Sequence, residues 1–169
     1  MVASKSGFGE WIAAGMRGQR EDALVGIETM AKTFGVSLMH GKAELKRTSI
    51  RVGEKILDGY SFSMYQPWYK AAPLGMLLDM EISLDGAVVP REDIFLIKGG
   101  QRFRLLDART VRDVWWNVIE ELQVFFPWPQ RLDGPTCRLE VRLAERIAEY
   151  YEFPLDMLIA SASLFGAVG

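Results

Sequence analysis

The chain has 169 residues, 49% hydrophobic and 25% charged, with a formal net charge of -2. That is one domain's worth of chain with enough apolar side chains for a core, which excludes a disordered polyelectrolyte. The acidic balance offers no polycation to phosphates and argues against a nucleic-acid partner, while the single cysteine, Cys137, excludes an internal disulfide and fits a reducing compartment.

The first ten residues, MVASKSGFGE, lack the basic-then-apolar order of a secretory signal. The longest apolar stretch, residues 155–168, is too short to cross a bilayer and contains Asp156. A cytoplasmic protein without a membrane partner is expected.

Residues 1–48 read as an arm. Leu24, Ile27, Ala31 and Phe34 recur at helical spacing, and Gly35 stands where a helix C-cap belongs, although Gly26 inside the run opposes it. Trp11 and Ile12 add a separate apolar knob.

From about Ile50 the texture is β. Tyr60, Phe62 and Met64 alternate with Ser61, Ser63 and Tyr65. An aromatic loop follows, built on Pro67, Trp68, Tyr69, Lys70 and Pro73. The next strand, over 78–84, puts Leu78, Met80, Ile82 and Leu84 on one face and Asp79, Glu81 and Ser83 on the other, solvated one. Asp85-Gly86 is a tight hairpin turn, and a short return over 87–89 stops at Pro90. Residues 94–97 are apolar on both faces, and Gly99-Gly100 turns into a strand over 102–105. Residues 122–126 form a further strand ended by Pro127 and Pro129.

The segment 136–151 has two periods. Cys137, Leu139, Val141 and Leu143 alternate as in a strand, whereas Leu139, Leu143, Ile147 and Tyr151 keep i, i+4 spacing. Gly134-Pro135 is a good turn into a strand, so the first half is predicted as one; the second half stays open. Residues 154–169 form an apolar tail, read as a short docking helix. The fold class is therefore mainly β: an antiparallel β-sandwich over 49–153, with a partly helical N-terminal arm over 1–48 and a short C-terminal tail over 154–169.

Chemistry-bearing residues are few. One histidine, His40, sits beside a glycine in an apparent turn; a histidine-based metal site needs more than one, a Ser-His-Asp relay would have to be built on it, and a surface or turn histidine is favoured. No Walker loop, dinucleotide glycine fingerprint or His-Glu-x-x-His helix is present. Glu120-Glu121 and Glu92-Asp93 are adjacent pairs, and neighbours on a strand diverge rather than converge on one bond. Arg109, Arg112 and Asp113 flank Val114, Trp115 and Trp116 as candidate ion-pair formers. No catalytic residue and no metal ligand is assigned.

Adjacent bulky pairs do recur: Trp68-Tyr69, Trp115-Trp116, Phe125-Phe126 and Tyr150-Tyr151. On a strand each pair sends one ring inward and one outward. For Phe125-Phe126 and Trp115-Trp116, core burial and a partner interface are both open. For Trp68-Tyr69, in a proline-flanked loop, an outward contact is favoured. Trp68, Tyr69, Lys70, Trp115 and Trp116 are the candidate substrate or partner contacts.

The order of these pieces resembles the small (β) subunit of bacterial C-glycoside deglycosidases. The resemblance rests on Gln66-Pro67-Trp68-Tyr69-Lys70, Pro73-Leu74, Asp85-Gly86, Val89-Pro90 and Asp93-Ile94. The segment VRDVWW over 111–116 and a closing strand over 138–153 complete it, and it covers roughly residues 46–153. The chain departs from the pattern in its long N-terminal arm, in Lys70 where arginine is common, and in its extension past Phe153. The resemblance implies a hetero-oligomer with a TIM-barrel α subunit that carries a divalent metal, usually manganese, with no cofactor in this chain. It implies a complex that cleaves the carbon–carbon bond of 3-oxo-C-glycosides, with this subunit non-catalytic. The alternatives are a stand-alone carbohydrate- or aromatic-ligand-binding β-sandwich module and, behind it, a self-sufficient carboxylate-based enzyme.

Overall fold

The computed structural model describes residues 44–66, 71–118, 120–146 and 157–168. The arm with its expected helix, His40, the loop residues 67–70 and the second half of the ambiguous segment fall outside the described residues.

Eleven strands are described: β1 Glu44–Val52, β2 Lys55–Tyr65, β3 Ala72–Pro73, β4 Leu77–Leu84, β5 Ala87–Val88, β6 Phe95–Lys98, β7 Gln101–Arg104, β8 Trp115–Trp116, β9 Glu121–Pro127, β10 Thr136–Arg146 and β11 Met157–Val168. Short 3-10 segments cover Leu74–Met76, Arg91–Asp93 and Leu105–Thr110. Among the described residues no helix is long and apolar enough to cross a membrane.

Nine strands hydrogen-bond in the order β5-β4-β10-β11-β1-β2-β9-β6-β7, and β3 pairs with β8 in a separate ribbon. Every pairing is antiparallel except a two-residue parallel step, Glu44 beside Ala167 and Leu45 beside Val168. At that step the series doubles over into two layers. Met80, Ile82 and Leu84 of β4 and Leu139, Val141 and Leu143 of β10 share one buried core with Tyr60, Phe62 and Met64 of β2 and Leu122, Val124 and Phe126 of β9. This is the expected antiparallel sandwich, with one face of each sheet dry.

The expected turns form as read. Asp85 and Gly86 have φ of 47° and 84°, and Gly99 and Gly100 have 57° and 78°, the paired positive angles that match a two-residue hairpin to strand twist. β10 runs as a strand from Thr136 to Arg146.

The tail is a correction. Residues 157–168 form a strand, not a docking helix, and β11 pairs with β10 along its whole length, from Thr136 beside Ala167 to Arg146 beside Met157. Its sequence is an apolar run without a period of two, which by itself does not separate strand from helix.

The Phe125-Phe126 question closes in favour of burial. Phe126 enters the main core, with the Phe62 and Trp128 rings 6.4 and 6.2 Å away. Phe125 points to the opposite face, where Ile50 and Phe95 form a second buried cluster around it. Arg47 lies 5.1 Å over the Tyr60 ring and donates to the Trp128 carbonyl at 2.7 Å. The Leu132 N–H donates to the Tyr60 hydroxyl at 3.0 Å, so the chain after β9 is tied back to β2.

Candidate functional site

The chain just after the aromatic loop and the double tryptophan pair with each other. Ala72 pairs with Trp116 and Pro73 with Trp115 in the β3–β8 ribbon. Just beyond it, the Leu74 N–H donates to the Val114 carbonyl at 2.9 Å and the Gly75 N–H to the Val111 carbonyl at 2.7 Å. Residues 111–116 are thereby laced to the chain that leaves the aromatic loop.

The ribbon separates its tryptophans as a strand must. Trp115 is 52% exposed, while Trp116 is 2% exposed and lies in the core. The Trp116 Nε1–H donates to the Glu120 carbonyl at 2.9 Å. Trp115 therefore presents a surface and Trp116 anchors it. Among the described residues the exposed large hydrophobic side chains are Ile56, Val88, Leu106, Trp115 and Val118; three of these five come from the single stretch 106–118. Trp68, Tyr69 and Lys70 lie outside the described residues, between Gln66 and Ala71.

Sequence reasoning missed a polar seam between the sheets. Alternation sends Tyr60, Phe62 and Met64 inward from β2, and the next position in that row is Gln66. It sends Leu139, Val141 and Leu143 inward from β10, and the next there is Glu145. Both are buried, and the Gln66 Nε2–H donates to Glu145 Oε1 at 3.0 Å, from one sheet to the other. Register in the β10–β4 ladder shifts between Ala144 and Glu145, so Glu145 stands opposite Leu77. Glu145 is 4% exposed, and its second oxygen, Oε2, is buried without a hydrogen-bond partner. Burial pushes this carboxyl up to about 7, against the opposing hydrogen bond from Gln66. The findable signal was the i+2 continuation of each apolar row; its partner, 79 residues away, was not findable.

The remaining carboxylates sort as scaffold. Glu120 and Glu121 diverge as expected: Lys98 reaches Glu120 at 2.6 Å, and the Tyr65 hydroxyl donates to Glu121 Oε1 at 2.9 Å. The Lys98 hydrogen bond holds the Glu120 carboxyl below its usual range, and the bond to Glu121 raises the Tyr65 phenol. Asp79 corrects its expected place on a solvated face. It is buried and takes a two-pronged ion pair from Arg91, whose Nε and Nη2 each lie 2.9 Å from one of its oxygens. The Cys137 thiol is buried and pushed up to about 11, chiefly by burial and then by Asp85, which leaves it unreactive at neutral pH. Among the described residues no three His, Cys, Asp or Glu side chains converge as a metal cage requires.

The chain matches the family model described as C-glycoside deglycosidase beta subunit over residues 43–150. That span includes β1 to β10 and every residue of the ribbon and the seam. A relative, the "C-glycoside deglycosidase beta subunit" of Microbacterium trichothecenolyticum, is 34% identical over 50 residues, which is 30% of this chain and 38% of the relative. The resemblance carried by the order of aromatic loop, strand and turn is borne out: this chain belongs to the C-glycoside deglycosidase beta subunit family.

Proposed function

We propose that this chain is the non-catalytic small subunit of a two-subunit enzyme that cleaves the carbon–carbon bond between a 3-oxo sugar and its aglycone. The observation that carries the reading is the half-exposed Trp115, held on the β3–β8 ribbon in a chain of this family. A tryptophan fixed by a buried neighbour loses little freedom on docking, which is what an interface anchor needs. Leu106, Val118 and the loop residues Trp68, Tyr69 and Lys70 complete the proposed face. The partner is an α subunit with a TIM-barrel fold that holds the divalent metal, manganese by resemblance, in the cytoplasm.

The chemistry belongs to the complex. In a 3-oxo-C-glycoside the ketone acidifies the C2–H bond; a base takes that proton, a C1–C2 double bond forms, and the bond from C1 to the aglycone carbon breaks as that carbon is protonated. Bound on the partner, a divalent metal supplies polarisation of the ketone oxygen. The role of this chain is to cover apolar surface around the reacting site and keep water out of it. Glu121, Glu145, Asp79 and Glu120 of this chain are held by Tyr65, Gln66, Arg91 and Lys98.

Co-expression with the α subunit tests this. Trp115→Ala should leave the melting temperature of the free chain unchanged, because the ring is half solvated already. It should weaken co-purification by about 30-fold, the loss of a central tryptophan anchor of about 2 kcal/mol. Trp68→Ala should act in the same direction. Full assembly and turnover in both variants would remove the loop end from the interface. Glycoside binding by the isolated chain, measured by calorimetry, would favour the stand-alone module, for which the Trp115 ring is the available stacking face.

A further inference from the structure

Gln66 and Glu145 close the two apolar rows that face each other across the core, so their hydrogen bond ties one sheet to the other at the end of both rows. Glu145 Oε1 accepts from Gln66; Oε2 is buried and has no partner. This arrangement suits a neutral carboxyl. An ionised one would set a bare charge against an apolar row with a single amide donor to stabilise it.

Burial and the Gln66 bond set the balance of this carboxyl. On β4, Leu77 is opposite Glu145, and Asp79 lies opposite Ala144 on the other face, where it is bound to Arg91. On β10, Arg142 belongs to the outward row, opposite Glu81. On β2, Tyr65 faces outward to Glu121. β3, the Leu74–Met76 segment, β8 and β11 contain no titratable residue.

We infer that the Glu145–Gln66 bridge is a pH-sensitive latch between the two sheets, closed and dry while the carboxyl holds its proton and loosened when it ionises, because the charge left at the unpartnered Oε2 draws in water even though the Gln66 bond itself strengthens. Loosening parts the ends of β2 and β10 until water or a counter-ion reaches Oε2. The β3–β8 ribbon sits one short segment from Leu77, so the opening is felt beside Trp115. The link to assembly rests on the reading of this end as the partner-facing surface; the latch itself does not.

The direction of the pH effect is fixed by the carboxyl. In the unfolded chain it ionises near 4.5, and in the folded chain near 7. Between those values the folded state alone keeps the proton, so its advantage is complete below 4.5, shrinks as pH rises, and is gone above about 7. The full chain, labelled with carbon-13 at glutamate carboxyls, should show one resonance with a midpoint near 7 that disappears in Glu145→Gln. Hydrogen exchange at the amides of Met64, Gln66, Leu143 and Glu145, corrected for intrinsic rates, should quicken by up to about tenfold per pH unit as pH rises from 4.5 towards 7 and level off above that midpoint.

Glu145→Gln, which still accepts from Gln66, should fold and lose the pH step. Glu145→Leu should lose both the step and the bond. A wild-type spectrum in which every glutamate titrates in the ordinary range would overturn the latch. So would an unchanged exchange step in Glu145→Gln, which keeps the test open even where Glu145→Leu does not fold. Co-purification with the α subunit across the same pH range separates the two readings. An exchange step without any change in assembly supports the latch and overturns the loop end as the interface.

Discussion

Gly59→Ala is expected to remove most of the stability of this domain. Gly59 sits within β2, paired with Pro127 of β9, and the Trp128 N–H donates to the neighbouring Asp58 carbonyl at 3.1 Å. A Cβ added at Gly59 would land on the Phe126 carbonyl oxygen, 2.8 Å from the Phe126 carbonyl carbon and 2.9 Å from Phe125 Cζ. The first obstacle is main chain held in a ladder and cannot swing aside. The second is the ring that lies over this glycine on the outer face and packs 6.2 Å from the Phe95 ring. Overpacking usually costs about 1–3 kcal/mol. Here relief requires breaking the β2–β9 ladder and disturbing two fully buried phenylalanines, each worth about 3–5 kcal/mol by truncation.

A loss of about 4 kcal/mol or more is expected, out of the roughly 5–15 kcal/mol that holds a domain together. Urea denaturation measures it directly. Phe125→Leu in the same chain should not restore stability, because the carbonyl remains. A Gly59→Ala protein as stable as wild type would contradict the register of β2 against β9.

That glycine shows where the sequence was legible and where it was not. Tyr60, Phe62 and Met64 announced β2 by their alternation, and Asp85-Gly86 and Gly99-Gly100 announced two hairpins, because both signals are local. The close approach at Gly59 depends on Phe125 and Phe126, brought across by a strand more than sixty residues later, and no local pattern reports it. β11 was hidden for a different reason. Between β10 and β1 its sequence has no period, and an apolar run without a period does not distinguish helix from strand.

The same division holds at the candidate site. Trp115-Trp116 was readable as an in-and-out pair, and the structure adds which ring is outside and what it stands beside. The family resemblance over roughly 46–153 lies close to the matched span 43–150 because it was carried by order and spacing of local pieces. Glu145 was overlooked because the alternation was followed only to Leu143. Asp79 departs from its solvated row because the Arg91–Asp93 segment brings Arg91 back to it, a contact that no local period reports.

Arg91→Met should expose what that misplacement means energetically. Asp79 is 2% exposed, and three donors serve its carboxylate: Arg91 Nε and Nη2 at 2.9 Å each and the Met80 N–H at 2.8 Å. Burial nonetheless pushes the carboxyl above its usual range, against the pull of Arg91 and Met80. The pair therefore offsets a burial cost rather than adding a surplus. Removing Arg91 alone leaves an uncompensated buried carboxylate, for which a loss of about 3 kcal/mol is expected.

Two consequences distinguish this from a simple loss of packing. Asp79→Asn combined with Arg91→Met should recover more than half of the deficit, since the amide oxygen still accepts from Met80 and no charge is stranded. The single variant's deficit should also shrink in acid: with Arg91 gone the folded carboxyl binds its proton more tightly than the unfolded one, so stability falls as pH rises. A deficit that stays constant with pH and is not repaired by Asp79→Asn would reduce the pair to ordinary packing. The Arg91 segment leads into Ile94, whose carbonyl takes the Leu105 N–H at 2.9 Å, and so into the stretch that carries Leu106, Trp115 and Val118. Arg91→Met is thus expected to lower stability first and assembly only in proportion, the converse of Trp115→Ala, and the pair of variants separates what builds the loop end from what uses it.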